Sequence, residues 1–329
     1  MLPLEVQPKK IRLEASSACQ LRCPSCPTTT GDARPVLGRG FLKFVDFKAL
    51  VDSNPWVREI ELSNYGEIFV NPELAAIIAY AHGRGVVLSC DNGANLNNID
   101  DPVIEAMVRY GLRSITCSID GASQQTYGRY RVRGNFDDAI ANIKRINHFK
   151  RIYRSQFPVL TWQFVVFGHN EHEIGIARQR AAELGMGFYL KLSWDEEFSP
   201  VKNPDLVRRS GGLDAVTREE FREKHGQDYM QGICGHLWET PQINWDGKVL
   251  GCGRNFWAEF GGNAFADGLL ASINSEKLQY ARRMLQGQAP ARDDIPCTTC
   301  EIFLGRRNGG QWLGIKFHPR AESRAGATP

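Results

Sequence analysis

The feature that most constrains this chain is Cys19-Gln-Leu-Arg-Cys23-Pro-Ser-Cys26, three thiols within eight residues. A loop this short wraps its sulfurs around one face of a single centre. Thiolates are the usual ligands of iron–sulfur clusters, and soft sulfur selects iron–sulfur or zinc over hard cations. A structural zinc site normally closes with four ligands. Two readings follow. Either a distant cysteine or histidine completes a zinc knuckle, or a cuboidal cluster keeps one iron open for a small molecule.

Composition narrows the setting. At 329 residues, with 42% hydrophobic content and mean hydropathy −0.34, the chain is expected to form one large domain and a smaller one. A net charge of +3 and a pI near 8.3 imply no nucleic acid or other polyanion as partner. No apolar run reaches the roughly 18 residues a membrane span needs. The start, Met1-Leu-Pro-Leu-Glu-Val, lacks the basic-then-apolar build of a signal peptide. Nine cysteines without a secretion signal point to metal or catalysis over disulfides, in a reducing cytoplasm.

Six strand–helix units read in order. Ile11, Leu13 and Ala15 alternate with polar neighbours and end just before Cys19. A second strand at 59–62 runs into Ser63-Asn64-Tyr65-Gly66-Glu67, followed by a helix over 72–82. Strand 86–90 is closed by Asp91-Asn92-Gly93 and places Cys90 at a barrel mouth, facing inward or onto the rim, or else packed as a small hydrophobe. A helix at 102–110 leads to strand 114–121, where Ile115, Cys117 and Ile119 share a face opposite Thr116, Ser118 and Asp120. The polar face is predicted to look into the barrel. Arg129, Arg131 and Arg133 follow in a glycine-flanked loop, then a helix over 135–154 with Phe136, Ile140, Ile143 and Ile146 inward. Strand 161–167 precedes His169-Asn170-Glu171-His172-Glu173, read as a helix start with Asn170 as N-cap rather than as a metal site. Strand 188–192 ends in Trp194-Asp195-Glu196, and 199–212 reads as a linker. Strands alternating with helices predict a parallel sheet, and a thiol loop after strand one lies at the C-terminal mouth of such a barrel.

Four more thiols follow the linker: Cys234, Cys252, Cys297 and Cys300. Asp246-Gly247 between alternating apolar residues is a hairpin signal of type I′, which returns Cys252 alongside Cys234. A helix over 275–285, stopped at Gly287, delivers the Cys297-Thr-Thr-Cys300 knuckle. Four thiolates make one closed site, for which zinc serves as well as a cluster.

With C-x3-C-x2-C after strand one, Gly66-Glu67 after strand two, Asp91-Asn92-Gly93 after strand three and Ser118-Ile-Asp120-Gly on strand four, the chain resembles the radical S-adenosylmethionine (radical SAM) superfamily. The resemblance spans roughly residues 10 to 303. It implies a 4Fe–4S cluster on Cys19, Cys23 and Cys26, whose open iron chelates S-adenosyl-L-methionine. Reductive cleavage would then yield a 5′-deoxyadenosyl radical that abstracts hydrogen from substrate. It further implies cofactor contacts from Tyr65, Gly66, Glu67, Ser118, Asp120 and one of Arg129, Arg131 and Arg133, the last for the cofactor carboxylate. Tyr65 and Ile68 depart from the family's Gly-Gly-Glu-Pro turn, and Ser25 stands where an aromatic residue is usual. The second thiol set resembles the twitch domain, the shorter relative of SPASM. That makes Cys234, Cys252, Cys297 and Cys300 ligands of an auxiliary 4Fe–4S cluster.

The implied architecture is α/β: a partial (β/α)6 barrel over 1–198, a linker and connecting helix over 199–232, a small α+β twitch/SPASM-like domain with a β-hairpin over 233–303, and a C-terminal tail over 304–329 ending in disorder. The implied function is dehydrogenation of an alcohol carbon in a small sugar, aminocyclitol or glycoside-like substrate. Trp162, Trp194, Trp245, Trp257, Asp195 and Glu196 are candidates to hold it, and an external flavodoxin or ferredoxin would supply electrons. Three alternatives stay open: an epimerase with Cys90, beside Asp91, as hydrogen donor; a peptide maturase; and a non-catalytic iron–sulfur or zinc scaffold or electron carrier. Only eighteen residues precede Cys19, so no leader-binding domain is expected ahead of it. Anaerobic reconstitution should give about eight irons per chain, falling to about four, with no 5′-deoxyadenosine formed, when Cys19, Cys23 and Cys26 become Ala. Zinc without iron in the C-terminal set would overturn the twitch reading.

Overall fold

Alternation along each strand sends apolar side chains to one face of a sheet and polar ones to the other. The computed structural model describes residues 1–314. Its strands are β1 (Lys10–Leu13), β2 (Glu59–Glu61), β3 (Val87–Ala94), β4 (Ser114–Ser118), β5 (Val159–Val166), β6 (Gly187–Leu192), β7 (Gln242–Ile243) and β8 (Val249–Gly251). They form one sheet in the order β6-β5-β4-β3-β2-β1-β7-β8. β1 to β6 pair in parallel with helices between them, β7 joins β1 in parallel, and β8 returns antiparallel. This is a mixed α/β fold, a partial barrel followed by a small C-terminal part whose hairpin extends the same sheet.

On the outer face Ile11, Leu13, Ile60, Leu88, Ile115, Cys117 and Phe164 pack against Phe47, Ile77, Ile104, Ile143 and Ala177 of the surrounding helices. A second core gathers Leu237, Phe260, Leu278, Met284 and Phe303 about the helix Glu276–Leu285. The inner face carries Arg12, Glu14, Glu61, Ser63, Ser89, Thr116, Ser118 and Gln163, most of them buried and hydrogen-bonded to one another or to backbone. Among the described residues no helix is long and apolar enough to cross a membrane.

Several sequence expectations are corrected. Asp91-Asn92-Gly93 is no closing turn; β3 continues to Ala94 through a bulge between its pairings Cys90↔Ile115 and Ala94↔Cys117. Cys90, paired with Ile115, shares its outward face, so it is fully buried in the helix-facing core and lies neither inside the barrel nor on its rim. Asp91 accepts from Ser114 Oγ at 2.5 Å and lies 4.0 Å from Lys10 Nζ, both at strand starts, so it sits away from the mouth. Arg129 is in a helix, Gln124–Tyr130, rather than a loop. Residues 199–212 contain the helix Pro204–Gly211. At the hairpin tip Gly247 N–H closes on Asn244 O at 3.0 Å, and only Gly247 has positive φ (89°), so the turn is not type I′. The helix Glu301–Asn308 and buried Leu313 give the tail structure beyond residue 303; the disorder expected at its end falls at 315–329, outside the described residues.

Asn170 does stand at the N-cap position, of the 3-10 turn Glu171–Glu173, but its side chain makes no capping bond. Its Oδ1 accepts from Phe167 N (2.8 Å), while Nδ2 donates to Asp120 O (3.1 Å) and Val165 O (2.9 Å), tying the ends of β4 and β5 together. The side chain has no exposed surface. Asn170→Ala leaves these backbone groups unpaired and should cost about 1–3 kcal/mol in urea unfolding. A smaller loss would mean that water replaces the amide.

Candidate active site

The N-terminal thiols stand where β1 leaves the sheet. Ala15 N donates to Leu62 O and Ser17 N to Gly40 O, which ends the strand and launches the loop. A turn closed by Cys26 N on Cys23 O (3.1 Å) then presents the last two sulfurs. All three thiols pack in one apolar cluster with Leu21, Tyr130, Val165 and Phe167. Burial pushes the Cys19 thiol up to about 12, with Glu67, Cys23 and Cys26 adding to it. Burial raises Cys23 as well, against the pull of Arg131. N–H groups are aimed at sulfur: Leu21 N and Asn95 Nδ2 at Cys19 (3.4 and 3.8 Å), and Arg131 Nη1 at Cys23 (3.7 Å).

Of the three arginines, Arg131 alone reaches this loop; Arg129 and Arg133 are exposed. Asp120, with no exposed surface, takes Arg131 Nε at 2.6 Å and Val165 N at 2.8 Å. Burial opposes the Arg131 charge, and Asp120 and the Cys23 thiol outweigh it. Asp120 is thus turned to Arg131 rather than to the open space. Ser118 is buried on the same inner strand face, its Oγ filling the room a side chain on Gly93 would need.

Gly66 sits against the loop so closely that a Cβ would come within 1.8 Å of Ser16 O. Glu67 N donates to Ala18 O (2.8 Å), and its carboxylate accepts from Phe69 N (3.3 Å) and Asn95 N (2.7 Å). Burial lifts Glu67 to about 7. Tyr65 spans two regions: its carbonyl accepts from Thr28 Oγ1 (3.0 Å), while its hydroxyl donates to Arg254 O (2.6 Å). Its ring meets Phe256 edge-on at 5.4 Å. Thr28 lies just past Cys26 and Arg254 just past Cys252, so one residue, through its carbonyl and its hydroxyl, bridges both thiol-bearing segments.

The second set comes from a 3-10 turn (Gln231–Gly235), the end of β8, a 3-10 turn (Pro296–Thr299) and the cap of Glu301–Asn308. Cys234, Cys252, Cys297 and Cys300 line one small cavity with Leu237, Trp257 and Phe303. Burial raises Cys234 to about 12 and Cys252 to about 11, with neighbouring thiols adding. Among the described residues no group of three or more His, Cys, Asp or Glu is set to hold a metal ion. The fit therefore rests on the donors. Each set crowds soft, protonated thiols into apolar surroundings, a cost that iron relieves by displacing their protons.

The other expectations divide. Trp194 and Asp195 lie over the first loop, through Trp194 Nε1 to Ser25 O (3.3 Å) and Ser25 Oγ to Asp195 (2.5 Å). Trp162 is core, its indole N–H on Ile119 O (2.7 Å). Trp245 donates to Leu37 O and packs against Gly40, and Trp257 donates to Pro296 O and meets Phe256 edge-on. Glu171 accepts from the Lys202 and Asn203 backbone, and Glu173 from Ala122 N and Ser123 Oγ, so both acids serve loops. Sequence reading missed Asn95 and Glu14, which carry no motif.

The fold is that of the radical SAM enzymes. No family model matches the chain. It is 25% identical over 192 residues to the AdoMet-dependent heme synthase of Methanosarcina barkeri, covering 57% of this chain and 51% of that protein, so it spans about half the length of this curated relative. Among solved structures it is similar to Streptococcus suis SuiB bound to S-adenosylmethionine (TM-score 0.61, 14% identity, 90% of this chain and 71% of SuiB). It is also similar to anSMEcpe with bound AdoMet (TM-score 0.58, 13% identity, 89% and 86%). The likeness to these solved structures is one of fold.

Glu14 offers a test of the inner face. Its Oε1 accepts from Tyr65 N (2.8 Å) and Gly66 N (2.9 Å), while Oε2 is buried without a partner. Burial raises it from 4.5 to about 7, so the fold favours the neutral acid. Its stabilising contribution is present below the unfolded value and lost as pH rises through the folded one. Unfolding free energy should therefore fall between about pH 5 and about pH 8, and Glu14→Gln should flatten that slope. An identical slope in the variant would assign the titration elsewhere.

Proposed function

We propose that this chain is a radical SAM oxidoreductase that removes hydrogen from an alcohol carbon of a small polar substrate held between its two thiol sets. The observation that carries the reading is Tyr65, whose carbonyl accepts from the Thr28 hydroxyl just past Cys26 and whose hydroxyl donates to the Arg254 carbonyl just past Cys252, linking the two thiol-bearing segments. Cys19, Cys23 and Cys26 would hold one 4Fe–4S cluster, and Cys234, Cys252, Cys297 and Cys300 an auxiliary one. The chemistry supplied when the first cluster and S-adenosylmethionine are bound is abstraction of a hydrogen atom from an unactivated carbon, with the auxiliary cluster taking up the remaining electron.

The protein's own part is positioning. Arg131, buried and already charged beside Cys23, is the guanidinium that would meet the cofactor carboxylate, oriented by Asp120. Glu67 has lone pairs to spare on oxygens that already accept backbone N–H groups, which suits it to the cofactor amino group. Gly66 lets that turn press onto the thiol loop, and Tyr130, Phe167 and Phe198 form an aromatic wall that excludes water. An alcohol that loses a hydrogen atom, a proton and an electron becomes a ketone two hydrogens lighter. An epimerase needs a thiol opposite the cofactor, and the burial of Cys90 in the helix-facing core favours dehydrogenation over that alternative.

The test is mass spectrometry of products formed anaerobically in deuterated water from a small-molecule extract by wild type and Cys90→Ala. A product two hydrogens lighter from both proteins, with 5′-deoxyadenosine, is expected. Deuterium at one carbon without oxidation, lost in Cys90→Ala, would mean an epimerase. Mass change confined to a peptide fraction would mean a maturase.

A further inference from the structure

Beyond the thiols and the cofactor residues, several N–H groups are buried with no partner among the described residues. Arg218 Nε, Arg254 Nε and Asn64 Nδ2 are each buried without a hydrogen-bond partner. A buried donor left unpaired is costly, and natural structures rarely keep several together. Arg218 stands at the C-terminal end of β6, its Nη2 on Leu192 O (3.4 Å) and its guanidinium over the Tyr229 ring at 5.0 Å. Arg254 follows Cys252, and its carbonyl is the one that Tyr65 OH binds. Between them, Gly253 leaves room for the inner-face side chains: a Cβ there would lie 3.3 Å from Arg12 Nε and 3.4 Å from Asn64 Oδ1.

The two guanidinium groups also act on one another. Burial pushes Arg218 below the ordinary arginine value and the charge of Arg254 adds to it, while Tyr229, Asp228 and Glu196 act the other way. The nearby acids are committed elsewhere. Glu196 caps the backbone of Arg218 and Glu219, Asp228 pairs with Arg222, and Glu301, which takes Arg254 Nη2 at 3.0 Å, is 78% exposed. An exposed pair of that kind contributes little. Buried N–H donors on two neighbouring guanidinium groups have a common remedy, an anion.

We propose that Arg218 and Arg254, with Asn64 beside them, form a receptor for an anionic group, a carboxylate or phosphate, carried by the substrate. This rests on reading the space between the thiol sets as the substrate site. The receptor anchors the substrate at the end remote from the N-terminal thiols, so the carbon to be oxidised lies between the anchored group and Arg131. Guanidinium forks suit both oxyanions through paired N–H donors.

Binding is read without turnover. Reconstituted wild-type protein is titrated calorimetrically, at fixed ionic strength, with inorganic phosphate and separately with succinate. Saturable one-to-one binding of at least one probe is expected, and the tighter of the two names the substrate's charged group. Arg218→Gln and Arg254→Gln should each weaken it roughly tenfold or more, while Arg209→Gln on an exposed helix surface should not. Absence of saturable binding by either probe, or equal weakening in all three variants, would overturn the receptor and leave the buried N–H groups to water. Should a Gln variant misfold, phenylglyoxal labelling of wild type decides: the bound probe should slow modification of Arg218 and Arg254 relative to Arg209, and lack of protection refutes the proposal. A protein that binds the probe and yields no ketone product would overturn the proposed reaction and keep the receptor.

Discussion

Asp120 and Arg131 hold the site together. A carboxylate with no exposed surface takes Val165 N with one oxygen and Arg131 Nε with the other, and Arg131 reaches Cys23 Sγ. One ion pair thus joins the ends of β4 and β5 to the thiol loop. Next to it Arg22 N donates to Val132 O at 3.0 Å, locking the loop against the residue that follows the arginine. Breaking a buried pair by removing one partner strands a charge and costs about 3–5 kcal/mol. Cys23 is thus fixed both by its own short loop and by this pair.

Around that pair the barrel uses acids as staples. Glu61 accepts from Ser63 N (3.0 Å), Ser89 Oγ (2.8 Å) and Asp91 N (2.8 Å), joining β2 to the bulge in β3. Glu173 gathers Ala122 N and Ser123 Oγ beyond β4, and Glu171 draws the 202–203 backbone onto β5's exit. These bonds satisfy loop backbone that would otherwise be buried unpaired, which lets irregular chain pack at the sheet's C-terminal end.

The C-terminal part is bound to the barrel through its backbone as well as its surface. β7 adds to β1 with the register Arg12↔Gln242 and Leu13↔Ile243, and Arg12 Nε donates to Gln242 Oε1 at 3.0 Å. Tyr65 then fixes the segment after Cys252 to the segment after Cys26. Two thiol sets more than two hundred residues apart in sequence therefore keep a set relation to one another. That relation is what electron transfer between them would need.

Much of this was legible in the residues. Cysteine spacing placed the two thiol sets, alternation placed Thr116, Ser118 and Asp120 on the inner face and Cys117 on the outer, and strand–helix order predicted the parallel barrel. These signals are local, because the period of two in a strand follows from the covalent chain itself. What tertiary structure alone decided is which side chains meet across strands. The bulge after Cys90 carried β3 on to Ala94 where a closing turn was expected, and the Asp120 carboxylate chose Arg131 from three equally plausible arginines. Asn170, expected to cap a helix, became a tie between strand ends because two carbonyls and an N–H lay closer than the helix did. Register, burial and the demand that every buried polar group find a partner are properties of the packed whole, and no window of sequence contains them.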